Sequence, residues 1–100
     1  MPRNVTRREF DEACEAVWTE IKYQNELPRR TEDEARDVPG FLTLLRRYIR
    51  KTENAWADNP GVPQSEGLVQ VPKALDGLRK VAAVAMRGMI YNGVRNRSSD

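Results

Sequence analysis

Two short spacings in the first third of the chain, Glu12-Ala-Cys-Glu15 and Glu34-Ala-Arg-Asp37, set carboxylates at i and i+3. On a helix that interval puts both acids on one face. Four such carboxylates from neighbouring helices can hold Mg²⁺ against the phosphates of a nucleotide, because a hard divalent ion needs anionic oxygens. The spacing is a weak sign on its own, since ten acids among residues 1–37 generate it readily. The second half also precedes Val38-Pro39, where a helix starts or stops rather than runs past a packed partner.

Residues 45–56, LRRYIRKTENAW, carry the opposite chemistry: Arg46, Arg47, Arg50 and Lys51 against one acid, Glu53. Guanidinium and ammonium groups hold phosphate directly, without a metal. Arg46 and Arg50 point away from the apolar stripe of this segment. Arg47 and Lys51 lie one turn apart at its edge, where a pocket between helices would open. Arg79 is a further candidate anion contact on the next helix, with Arg50 and Arg87 outside it. Tyr23, Tyr48 and Trp56 could stack on a base, although an aromatic at helical spacing is more often core.

The elements that must position these residues are helices. Thr6-Arg-Arg-Glu9 has the form of a capping box. Phe10, Ala13, Cys14, Val17, Trp18 and Ile21 follow at helical spacing, and Leu27-Pro28 stops the run. The first helix is therefore predicted over about 6–24. A connection over 24–37 follows, with one short turn capped by Thr31 and Glu34. The second helix, about 38–57, tolerates Pro39 in its first turn and shows Phe41, Leu44, Leu45, Tyr48, Ile49, Thr52, Ala55 and Trp56 as its stripe. Asp58-Asn-Pro-Gly61 breaks it, and residues 58–70 form an exposed connection. The third helix, about 71–92, starts at Val71-Pro72 and ends at Asn92-Gly93, leaving 94–100 as a tail. Leu75, Leu78, Val81, Ala82, Ala85, Met86 and Met89 face one way, with Ala83, Val84 and Ile90 turned elsewhere. A helix apolar nearly all round is buried on more than one side, and in a three-helix chain the second side is expected to meet another subunit. No strand alternation is visible. The fold expected is an all-α bundle of one domain, residues 1–100, completed by homo-oligomerisation.

Composition removes several functions. The chain has no histidine, so Ser-His and Cys-His catalysis and His-rich metal sites are excluded. One cysteine, Cys14, allows no internal disulfide and sits in the apolar pattern as core filler. No apolar run or leader pattern suggests a membrane span or export, so a cytoplasmic protein is expected. The net charge of +2 conceals a division. Residues 1–37 are net −3, 38–57 net +3, 58–70 net −2 and 71–100 net +4. Charge alone favours the plain explanation, in which Glu12, Glu15 and Glu20 pair with Arg47, Lys51 or Arg79 across helix interfaces. The alternative is that the basic residues of helices two and three converge on a phosphate.

The segments GFLTLLRRYIRKTENAWADNPG and ALDGLRKVAAVAMRGMIYNG, with EIKYQNELPRR before them, resemble small phage and prophage proteins related to the MazG-type all-α nucleoside triphosphate pyrophosphohydrolases. The similarity covers roughly residues 20–93. It implies a helical fold, usually dimeric or tetrameric, with a nucleotide and Mg²⁺ between helices. The family's paired glutamates on the second helix would fall near Arg47, Tyr48 and Lys51, and its ExxD on the following helix near Gly77 and Lys80. Where an active relative keeps acids, this chain has Arg, Tyr, Lys, Gly and Lys. The resemblance therefore implies a degenerate metal site with no cofactor and a bound phosphorylated nucleotide, for instance a nucleotide signal of host defence sequestered by a phage protein in the host cytoplasm.

Three further readings stay open on the residues. An active Mg²⁺-dependent pyrophosphohydrolase would use Glu12, Glu15, Glu34 and Asp37. A structural or regulatory interaction protein would use the two-sided third helix. Nucleic-acid binding would use Arg87, Arg95 and Arg97, and the acidic first helix argues against it.

Overall fold

The computed structural model describes residues 3–28, 36–58, 63–64, 67–68 and 73–98. It is all-α in its main elements, with three helices among the described residues: α1 (Arg7–Glu26), α2 (Val38–Asp58) and α3 (Ala74–Asn92).

The start of α1 follows the capping box. Thr6 Oγ1 accepts the Glu9 N–H at 3.1 Å, and Glu9 Oε1 accepts the Thr6 N–H at 3.0 Å. The Thr6 backbone bond, then Arg3 and the Thr6 hydroxyl, hold the Glu9 carboxyl below its ordinary value. The helix ends at Leu27, whose extended backbone leads into Pro28. Asp37 caps α2, its Oδ1 accepting the Gly40 N–H at 3.0 Å, which satisfies an amide in the turn where Pro39 has none. Gly93, at φ +125°, closes α3. The described part of α3 begins at Ala74, and the expected start at Val71-Pro72 lies outside the described residues, as does the turn expected at Thr31–Glu34.

The connection between α2 and α3 differs from expectation. Pro63–Gln64 and Gly67–Leu68 pair as a short antiparallel ladder, with Pro63 opposite Leu68. Two-residue strands carry too little alternation for a sequence pattern to show.

Helices α2 and α3 lie antiparallel and close. A Cβ on Gly77 would come within 2.9 Å of Thr52 Cβ, and one on Gly88 within 3.2 Å of Phe41 Cγ. The two glycines are eleven residues apart, and so are Thr52 and Phe41. Eleven residues make about three helical turns, so one stripe of each helix carries both close approaches.

Helix α1 packs against α3 on another side. Val17 and Ile21 meet the fully buried Ala83, with Ala82 and Met86 beside them. This corrects the expected orientation of α3. Ala83 and Val84, assigned to a side meeting another subunit, are among the most buried residues of the chain, while Leu75, Leu78 and Met89 of the expected core stripe are exposed. Phe10 and Trp18, read as core on α1, are about half exposed as well. No helix among the described residues is long and apolar enough to cross a membrane.

Candidate anion-binding groove

Along one side of the α2–α3 pair, Tyr48, Lys51 and Ala55 follow at i, i+3 and i+7, and Lys73, just before α3, stands seven residues from Lys80 on it. These residues, with Thr52, Asp76 and Gly77, line a cavity of about 310 Å³. The absence of a side chain at Gly77 lets Thr52 sit against the α3 backbone and sets the depth of the groove. Thr52 Oγ1 is held by donating to Tyr48 O at 2.8 Å.

Three lysine residues thus line one concave surface. Lys51 Nζ stands 5.5 Å from the centroid of the Tyr48 ring, a cation–π distance that holds the lysine along the groove wall. None of the three lysines is in an ion pair among the described residues. The one acid of the lining, Asp76, is drawn aside. Its Oδ1 accepts from Arg79 Nη1 at 2.8 Å. The groove also opens at the first turn of α3, whose helix dipole favours negative charge.

Tyr48 separates this groove from a second cavity of about 260 Å³, walled by Phe41, Leu44, Val84, Arg87 and Tyr91. The Phe41 and Tyr91 rings lie 6.0 Å apart at 58°. Arg87 is fixed there by Gln24 Oε1 and Asn25 Oδ1, both at 2.7 Å, by Ile21 O at 3.3 Å and by the Tyr91 hydroxyl at 2.8 Å. Its guanidinium ties α1 to α3.

Of the residues expected to bind a ligand, Lys51 and Tyr48 come together in the lysine groove. Arg47 and Arg50 are exposed on α2 and line neither of these two cavities, and Tyr23 and Trp56, both more than half exposed, stand outside the groove too. Arg79 is engaged elsewhere. Its Nε donates to Glu20 Oε1 at 3.1 Å, and Glu20 is only 6% exposed. Asp76 first, then Glu20, raise the Arg79 guanidinium above its ordinary value. Here the plain explanation of the charge pattern holds: an acid of α1 pairs with a base of α3. Lys73 and Lys80 are the groove residues that the sequence reading passed over as ligands. Their i, i+7 spacing was visible, but nothing local marked their face as the one beside Lys51.

The alternative carboxylates are not gathered among the described residues. Glu12 is exposed and pairs with Arg8 one turn away at 3.4 Å. Glu15 is exposed, Asp37 caps α2, and Glu34 lies outside the described residues. No group of three or more acidic or thiol side chains suited to a metal ion occurs among the described residues. Comparisons with protein-family models, curated proteins and solved structures returned no match to this chain.

Proposed function

We propose that the chain binds a phosphorylated nucleotide in the α2–α3 groove and holds it without hydrolysis. The observation that carries this reading is the convergence of Lys51, Lys73 and Lys80 beside Tyr48 in one cavity. Three ammonium groups suit a polyphosphate or a phosphodiester, whose oxygens accept several charge-assisted bonds at once. Tyr48 offers the edge or face of a ring between this groove and the neighbouring aromatic cavity.

The family resemblance supports the same reading. Of Arg47, Tyr48, Lys51, Gly77 and Lys80, the positions where a MazG-type enzyme would keep acids, all but Arg47 line the groove here. Acids replaced by bases exchange a metal-bridged phosphate for a directly bound one. A binder that does not turn over acts by sequestration, and on the resemblance the ligand is a nucleotide signal captured by a phage protein in its host.

Calorimetry in EDTA against linear and cyclic nucleotides tests this. Binding is expected without Mg²⁺, and each of Lys51→Ala and Lys80→Ala should weaken it roughly 10–100-fold, the loss of one charge-assisted hydrogen bond of about 1.5–3 kcal/mol. Absence of binding across the panel, or affinity indifferent to both lysines, overturns it. Pyrophosphate release in Mg²⁺ that Glu15→Gln abolishes would establish the hydrolase instead.

A further inference from the structure

The lysine groove and the aromatic cavity beside it lie on one face of the α2–α3 pair. On α2, Phe41, Leu44, Tyr48 and Lys51 follow at intervals of three, four and three residues. On α3, Lys80, Val84, Arg87 and Tyr91 follow at four, three and four. Such spacing keeps each set on one side of its helix. The helices run antiparallel, with the Phe41 ring meeting Tyr91 at one end and Thr52 meeting Gly77 at the other. The two cavities are therefore successive lengths of one trough and meet at Tyr48, which lines both. Lys51 and Lys80 stand in its basic length. The aromatic length is closed by the C-terminal end of α1, at Gln24, Leu27 and Pro28.

We infer, on the reading of the lysine groove as the phosphate site, that the aromatic cavity takes the base of the nucleotide and selects a 6-oxopurine, guanine or hypoxanthine, over adenine. Lys80 and Arg87 are seven residues apart on one helix, or about 10 Å. One nucleotide covers that span between its phosphates and its base. A ring that passes Tyr48 meets Phe41, Leu44 and Val84, an aromatic and apolar wall suited to the face of a base.

The polar part of the lining decides which base. Its charged residues, Arg36 and Arg87, are both cationic, and no carboxylate lines the cavity. Arg87 Nε donates to Gln24, Nη2 to Ile21 O and Asn25, and Nη1 to the Tyr91 hydroxyl. A guanidinium has five N–H groups. The one that remains, on Nη1, has no acceptor among the described residues. A donor in a wall without acids calls for an acceptor on the ligand. Guanine sets two, O6 and N7, side by side on one edge, and arginine is their commonest specific partner, whereas adenine has an amino donor in place of O6. Adenine would therefore set N–H against N–H at Arg87, which rejects it as well as failing to bind it. The bonds to α1 hold the guanidinium in place before a base arrives, so binding need not order it.

Calorimetry on the full chain in EDTA compares GTP and ITP with ATP, cyclic di-GMP with cyclic di-AMP, and uses inorganic tripolyphosphate as the ligand without a base. In each set that binds, the 6-oxopurine should be roughly 10-fold tighter than the adenine counterpart, with ITP equal to GTP. Arg87→Lys keeps the charge and loses the fork. It should abolish the preference while leaving tripolyphosphate affinity unchanged, whereas a role confined to holding α1 would weaken all the ligands together. The unsubstituted chain decides the matter even where Arg87→Lys fails to fold. Guanine and adenine ligands bound equally, ITP bound like ATP, or a preference that survives in folded Arg87→Lys overturns the inference and leaves the phosphate site standing. Binding of none of these ligands, tripolyphosphate included, overturns the phosphate site and the inference with it.

Discussion

Glu20 shows how a charge pattern divides into structure and function only once the side chains have neighbours. It is buried on α1 among apolar residues, and its carboxylate is held by Arg79 across the α1–α3 interface. Arg79 is one-third exposed and keeps Asp76 as a second acceptor, so the two ends of the pair are unequal. Arg79→Met leaves a buried carboxylate with its main partner gone, whereas Glu20→Ala leaves a guanidinium that can still reach Asp76 and water. We expect Glu20→Ala to cost about 1–3 kcal/mol and Arg79→Met to cost about 3 kcal/mol or more, read by urea denaturation followed by circular dichroism. Equal, negligible losses would mean that the pair is decoration on a surface held by other contacts. From sequence, Arg79 was the candidate anion contact and its neighbour Lys80 was not. One step around the helix separates a structural base from a candidate ligand base, and only the position of α1 decides between them. Lys51 and Tyr48 were legible because they share the edge of a stripe on one helix. Lys73 and Lys80 were not, because their significance depends on a second helix.

At the scale of the elements, what was legible was what is local. Thr6 and Glu9 announced the start of α1, and Asn92-Gly93 the end of α3, because a cap is decided within a few residues. The inward face of α3 was hidden, because a helix apolar nearly all round offers no amphipathic contrast. Ala83 and Val84 are buried there for their size and position, with Ala83 small enough to admit Val17 and Ile21 of α1. The α2–α3 contact at Gly77 gives a test at this scale. Gly77→Ala gains about 1 kcal/mol of helix propensity. The added methyl would meet Thr52 within contact distance, an overpacking of about 1–3 kcal/mol. The net effect should be destabilising, lowering Tm by roughly 5 °C in a domain of this size. A higher Tm would show that the helices can move apart at little cost.

For the whole molecule, the α2–α3 pair faces two ways: a basic, concave side with Lys51, Lys73 and Lys80, and an apolar side with Leu42, Ile49 and Leu78. Helix α1 rests chiefly on α3, fastened by Arg79 and Arg87. If each side has its own work, the two functions separate cleanly. Ile49→Glu, on the apolar side, should still bind the nucleotide at one per chain and with affinity within a few fold, measured by calorimetry. Loss of binding in a folded Ile49→Glu variant would mean that the apolar side contributes to the lysine groove. Of the two sides, only the Tyr48–Lys51 edge of the basic one could be read from sequence, since α2 has a single stripe in one dimension and two faces in three.

The equal spacing of Gly77 to Gly88 on α3 and Phe41 to Thr52 on α2 has a consequence for how the chain reaches this arrangement. The two helices meet like a key with two teeth. Sliding one helix along the other by a single turn would bring side chains, not bare backbone, against both Phe41 and Thr52, and no other pair of glycines on α3 could receive them. Misaligned pairings of the two helices are thus penalised at two points together. The alignment of the antiparallel pair is fixed by two close approaches in which α1 takes no part.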